Sequence, residues 1–359
     1  LRWAGLQRAC LRYRRPIALK VQHHAGGHSR ELVRATMKNF RLGQQEIVFA
    51  VFAALFVAFS VFLKGFLTAD NMLTLLQNVA VLGILGLAMA IVVIGRGIDL
   101  SLIASLAVPG GLVLQMVQSG HSLPVSLLAA GLLAAAIGLA NGWLIAYAEV
   151  PPLFATLATG LFVAGLGQAA LFQLDVVQWS DGMAGFERLG QGSILGIPTS
   201  IVMFAIAAIA VFILLRQTRW GAFIYAVGDN PFAARVTGIP SRPIVVLQYV
   251  LAAVIGGFAG LVMAASVNSM PTRIFNSTMI YDVILVVVLG GIGLSGGRGG
   301  VLNVIIGTLL IGTMLNGMTI LDIPYAGQNL IKGLVLLIAV ITDTMLNPRN
   351  EETAQQGDI

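Results

Sequence analysis

The chain has 359 residues, 57% of them hydrophobic and 10% charged, with a mean hydropathy of +0.90; soluble globular chains carry about 25% charged residues, so an ordinary soluble enzyme is excluded. The formal charge of +6 is local, because ten of the 21 Lys and Arg residues precede Gln44, where Glu31 is the one acid, and the remainder is slightly acidic. A single cysteine, Cys10, excludes an internal disulfide and a cysteine-based metal cluster, and His23, His24, His28 and His121 lack ligand spacing, so the sequence offers no metal site.

In chain order, residues 1-45 form a basic arm. A basic segment ahead of a first membrane span holds the N-terminus in the cytoplasm, and no nucleic-acid partner is expected from it. Met37-Lys38-Asn39-Phe40-Arg41 has the look of an ordinary start, so residues 1-36 are read as a mis-called upstream extension or a disordered tail. No cleavable secretory signal is visible, since the first apolar stretch is too long and lacks a small-residue cleavage site.

A hydrocarbon layer about 30 Å thick needs roughly 20 apolar helical residues per crossing. Runs of that kind fall at 47-66, 71-95, 98-118, 123-147, 153-173, 198-215, 243-267, 278-294, 301-320 and 327-346. The expected fold is all-α, a polytopic membrane domain of about ten helices over 46-346, followed by a tail at 347-359. An even count puts both ends on one side. With the N-terminus inside, Arg96, Arg216, Arg219, Arg235, Arg242, Arg298 and Arg349 join the arm on the cytoplasmic side, and Lys64, Arg188, Arg273 and Lys332 fall outside.

Two runs are unusual. Ile98 to Gln118 opens with Asp99 and Ser101 and carries Pro109-Gly110-Gly111 in its middle, so it is expected to be kinked or broken, as pathway-lining helices are. The run from Tyr281 ends in a glycine-rich stretch, Gly290 to Gly300, read as a helix end and a cytoplasmic turn in which Gly290, Gly291, Gly296 and Gly297 permit close backbone approach. That stretch contains G-x-G-x-x-G (Gly291, Gly293, Gly296), but a dinucleotide fingerprint needs a preceding strand and a soluble βαβ unit, and both flanks here are spans. Leu294-Ser295-Gly296-Gly297 also spells the start of the signature of ABC ATPases. The chain has no phosphate-binding loop and no Gly-Lys pair, so any ATP-driven step must be carried out on another polypeptide.

The loop at 216-242 carries the most information. Asp229 or Asn230 can cap a short helix with Pro231 in its first turn, and Gly238 followed by Pro240 stops it. A compact, Ala-rich, two-turn helix near 229-239 on the cytoplasmic face suits docking into a partner's groove, although a loop of this length can also be a solvated connector.

These residues resemble those of a family, the permease subunits of binding-protein-dependent ABC importers for monosaccharides of the ribose, xylose, galactose and rhamnose type. Three blocks carry the match: Gly97-Ile98-Asp99-Leu100-Ser101; Tyr225-Ala226-Val227-Gly228-Asp229-Asn230 with Ala233-Ala234-Arg235 and Gly238-Ile239; and Asp282 with Val287 to Gly291 and Gly296 to Gly299. The resemblance covers roughly residues 45-346. It departs at Arg96, where a glycine or small residue is usual, at Leu102-Ile103, where Val-Gly is common, and at Ile280, often a glutamate. The related branched-chain amino-acid permeases share the coupling-loop pattern.

The resemblance implies a permease of ABC-importer architecture in a bacterial inner membrane, both termini cytoplasmic, that pairs with a second permease subunit, alike or different. It also implies two ATPase subunits that bind the ATP and an extracytoplasmic sugar-binding protein, with the chain itself no enzyme and holding no cofactor. Tyr225, Gly228, Asp229, Asn230, Ala233, Ala234, Arg235 and Gly238 then form the ATPase-coupling loop. Asp99, Ser101 and Asp282 are helix caps or pathway residues. Asn141, Asn303 and Asn316 read as interhelical hydrogen-bonding groups, and Gly256, Gly260, Gly307 and Gly312 as close-packing positions. An ion-coupled secondary carrier would need paired acids or histidines within spans, which the sequence does not display, and a membrane enzyme would need a catalytic constellation that is not visible.

Overall fold

Apolar runs of this length have one open-ended backbone solution in hydrocarbon, the helix, because every N–H and C=O must be satisfied within the segment. The computed structural model adopts it. Residues 44–172, 175–179, 183 and 186–346 are described; the basic arm up to residue 43, the proposed start at Met37 and the tail at 347–359 lie outside them. The bundle consists of α1 (Gln44–Phe62), α2 (Ala69–Ile94), α3 (Leu102–Gln118), α4 (Leu123–Ala146), α5 (Pro152–Leu166), α6 (Arg188–Gln191), α7 (Thr199–Gln217), α8 (Arg219–Asp229), α9 (Pro231–Val236), α10 (Ser241–Val267), α11 (Met279–Leu289), α12 (Val301–Ile320) and α13 (Tyr325–Leu346). A π-helical segment, Gly167–Phe172, prolongs α5.

Eight of these helices are long and apolar enough to cross a membrane, and α3 and α11 are shorter apolar helices at the two remaining expected positions. The chain is a polytopic all-α membrane protein. Two small antiparallel ribbons add to the helices at one end: β1 (Val176–Gln178) with β4 (Ser269–Pro271), and the hairpin of β2 (Ser193–Ile194) with β3 (Ile197–Pro198).

Every residue of α2 from Val79 to Ile94 is buried, and α10, α12, α7 and α11 pack around it. Small residues set the approach distances. A Cβ at Gly260 would strike the Leu106 carbonyl and one at Gly307 the Val286 carbonyl, while Gly256 meets Leu102 and Gly312 meets Val79. In a bilayer, where lipid is as apolar as leucine, such backbone proximity is what holds helices together. The same role explains α3. The expected break at Pro109-Gly110-Gly111 is absent: α3 runs through it as helix. A Cβ at Gly110 would lie 2.6 Å from Met270 Cε and 3.2 Å from the Gly260 carbonyl carbon, and one at Gly111 would lie 2.7 Å from the Phe172 ring, so these glycines are packing positions.

Irregular backbone occurs elsewhere, at 95–101 before α3 and on both sides of α11. At eleven residues, α11 spans about 17 Å, half of a bilayer core, where the sequence led us to expect a full crossing at 278-294. The 3₁₀ turn Thr272–Asn276 precedes it, and the glycine stretch follows it with left-handed φ at Gly291, Gly296, Gly297 and Gly299. Non-helical chain at membrane depth is tolerable only inside protein, and Ile292 is accordingly fully buried.

Candidate functional site

The segment after α7 is built by its caps. Thr218 Oγ1 accepts from Gly221 N at 3.2 Å and starts α8. Asn230 Oδ1 accepts from Ala233 N at 3.0 Å, Pro231 takes the first helical position of α9, and Gly238 with φ 84° closes it. Asn230 is the cap and Asp229 is the last residue of α8. What the sequence reading missed is α8 itself. Its signal was present, since Trp220, Phe223, Ile224 and Val227 fall on one helical stripe; Ile224 and Val227 are the buried members.

The eight expected coupling residues divide between two surfaces. Gly228 and Ala234 are buried against the bundle, whereas Asp229, Ala233, Arg235 and Gly238 are exposed. Phe232 and Val236, which the sequence reading did not select, are 63% and 72% exposed, so α9 presents an apolar outer face. Tyr225 is partly buried and donates to the Gly299 carbonyl at 2.8 Å; burial pushes its phenol up, partly offset by Arg216, so it remains the donor.

Three blocks far apart in sequence meet beneath α8. Gly297 N donates to the Ile94 carbonyl at 2.8 Å, a Cβ at Gly228 would fall onto that same carbonyl, and Gly297 abuts Asp229. Gly296 packs on Arg96, whose Cβ would lie 3.0 Å from one added there. The end of α2, the second half of α8 and the turn between α11 and α12 thus share one joint made of backbone. Of the glycines expected to pack closely, Gly290 faces the Asn303 backbone, and Gly291 takes φ 86°. Arg96 has φ 70°, which explains why a glycine suits the position. Left-handed backbone costs a non-glycine residue about 1–2 kcal/mol; Arg96→Gly is expected to raise the thermal midpoint, and an unchanged or lower midpoint would refute the strain.

Just above this joint the break at 95–101 is held by side chains from three helices. Asp99 Oδ1 accepts from Ser101 N at 2.9 Å and from Ser101 Oγ at 2.6 Å. Asn141 of α4 donates to Ser101 Oγ at 2.7 Å, Thr156 of α5 accepts from Leu100 N at 3.1 Å, and the Tyr249 hydroxyl of α10 donates to the Ile98 carbonyl at 3.4 Å. Asp99, Ser101, Asn141 and Thr156 are all fully buried. Asp99 therefore shapes the turn ahead of α3 and does not bond to the first free N–H groups of the helix. Asparagine can accept the same two bonds through Oδ1, so Asp99→Asn is expected to fold and assemble. Asp99→Leu should lose about 1–3 kcal/mol by orphaning buried donors, read as the difference in thermal midpoint between the two variants.

Asp282 is not a cap. Its carboxylate oxygens lie 2.8 and 3.1 Å from Lys332 Nζ of α13. Lys332, counted on the outer side and within the expected span 327-346, sits inside α13 and is 6% exposed. Thr278 joins the cluster, accepting from Lys332 Nζ at 3.4 Å and sharing a 2.9 Å hydrogen bond with the Tyr325 hydroxyl. The amides within spans bond across helices: Asn303 donates to the Gly290 carbonyl at 2.7 Å, and Asn71 and Asn316 exchange bonds of 3.0 and 2.9 Å.

Among the described residues, eight long apolar helices and two shorter ones form a membrane bundle to whose core two short surface helices are anchored, an architecture compatible with a transport permease. The family described as branched-chain amino acid transport system / permease component matches residues 71–340. Among curated proteins, the chain is 34% identical to the ribose import permease of Bacillus subtilis over 80% of this chain and 89% of that protein. It is 35% identical to the galactofuranose transporter permease of Escherichia coli K12 over 75% and 78%, and 34% identical to the L-arabinose ABC transporter permease of Azospirillum brasilense over 82% and 85%. No solved structure matches. The chain belongs to this family of ABC transport-system permeases.

Proposed function

We propose that this protein is the membrane-spanning subunit of an ATP-driven importer that carries a sugar delivered by an extracytoplasmic binding protein. The sugar class rests on relatives whose names specify ribose, galactofuranose and L-arabinose. The observation that carries the mechanism is the backbone joint linking α8 to the ends of α2, α11 and α12. An ATPase subunit that grips the exposed face of α9, at Phe232, Ala233, Arg235 and Val236, moves α8 with it. A joint of glycine against carbonyl has little slack, so the displacement passes to α2 and α12, and rocking of packed helices opens the route to the other side. ATP is bound and cleaved on that partner, and the route lies between this chain and a second permease subunit.

The joint end is assigned to the cytoplasm of a bacterial inner membrane, because Arg216, Arg219, Arg235, Arg242 and Arg298 cluster there. Reconstitution tests the proposal: vesicles holding the chain, its ATPase and the binding protein should accumulate, only with ATP, the sugar that the binding protein holds. Phe232→Asp, which places a charge on the docking face, should lower ATPase retention and uptake together. Accumulation against a gradient by the chain alone would overturn it in favour of an ion-coupled carrier.

A further inference from the structure

At the joint end, α1, α7 and α12 leave a groove of about 480 Å³. α1 packs along α12 and α7 along α2, so α1 and α7 straddle the start of α12 without extensive packing on each other. The walls are apolar, with Ala208, Ile209 and Phe212 from α7 and Leu302 and Ile305 from α12. Ile209 and Leu302 are 59% and 58% exposed, turned to the surface that faces lipid. The mouth is polar: Arg216 stands one turn beyond Phe212, with Gln45 and Asn303 beside it, and no carboxylate is among the described residues that line the groove. Eight residues of α7 separate Ala208 from Arg216, about 12 Å of helix, so the groove descends from the membrane surface into the hydrocarbon. Trp220, half exposed and four residues past Arg216, is of the type that settles at the headgroup level.

A concave apolar slot in a lipid-facing surface holds an acyl chain longer than a convex one does, but shape alone does not choose among lipids. Charge does. Arg216 is exposed at the mouth of the groove and carries a permanent positive charge. We propose that this groove is a binding site for one anionic phospholipid, its acyl chain lying between α7 and α1 over α12 and its phosphate on Arg216. Arg216 is the residue before the last of α7, two positions ahead of the Thr218 cap of α8. The bound lipid therefore sits at the corner from which the coupling helices hang, and it stiffens that corner. The site does not depend on what the protein transports.

Native mass spectrometry of the purified full chain, with phosphatidylglycerol and phosphatidylcholine of identical chains added in turn, tests this. The wild type should retain phosphatidylglycerol about fivefold better, the factor that one basic residue contributes at a membrane surface. Arg216→Gln should remove the preference at unchanged elution volume. Leu302→Trp, which fills the groove from an exposed position, should reduce retention of both lipids. Equal retention of the two by the wild type, or an undiminished preference in Arg216→Gln, would overturn the site. So would a wild-type dimer that persists in detergent and excludes lipid from the groove, since that assigns the slot to a second copy.

Discussion

Gly228→Leu is expected to abolish ATP-driven uptake while leaving the chain inserted in the membrane. The cause is local and steric. The nearest atoms to a Cβ there are backbone, the Ile94 carbonyl and, at 2.8 Å, Gly297 N, and those two groups are hydrogen-bonded to each other. Backbone cannot swing aside as a side-chain tip can. Overpacking of a core costs about 1–3 kcal/mol where side chains can give, and the joint has none to offer, so α8 must lift off and its link to α2 and the α11–α12 turn is lost. Gly238 supplies the control: it has φ 84° but nothing within 4 Å of an added Cβ. Gly238→Ala should cost about 1 kcal/mol of local strain and retain most uptake, whereas Gly228→Ala should already impair it. Equal uptake by the two alanine variants would dismiss the joint as the transmission element.

The second large effect concerns Asp282 and Lys332. Their side chains are 15% and 7% exposed and meet at 2.8 Å within the bundle. Removing one partner leaves an uncompensated charge in a low-dielectric setting, about 3–5 kcal/mol of destabilisation, whereas replacing both by apolar groups of similar volume is often neutral. Lys332→Met and Asp282→Leu should thus each lower the thermal midpoint sharply, and the double variant should recover most of the loss. α13 makes this matter more than for an average helix, because its main packing partner is α11 and 6% of its apolar window is buried. If the double variant is as unstable as the singles combined, the pair is not a clamp. If it is stable yet transports nothing, the two side chains contact the solute, and the pathway reading of Asp282 takes over.

Much of this was legible from residue order alone. The positions and approximate bounds of the membrane-entering helices follow from apolar runs of about twenty residues, since hydrocarbon leaves the backbone no alternative. The cap at Asn230 and the stop at Gly238 are local events, so α9 could be read from Asn230, Pro231 and Gly238 without knowledge of any neighbour. Family membership likewise came from short blocks, and the comparisons agree with it.

Other features required the third dimension. Pro109-Gly110-Gly111 reads as a kink or a break; α3 is unbroken there, and Met270, Gly260 and Phe172 fill the space that missing side chains leave. Lys332 falls within the run 327-346 and by sequence counts only as one more outer-side charge; the opposing carboxylate of Asp282, fifty residues earlier, makes it tolerable inside. The joint under α8 is the clearest case. Glycine at 228 and at 297 says only that a side chain is unwelcome, and nothing in the local pattern says which backbone occupies the space. The sequence by itself determined which segments enter the membrane, because hydration is a property of each segment alone. Tertiary structure decided which buried charges are paired and which glycines touch, because those depend on groups brought together only when the helices pack.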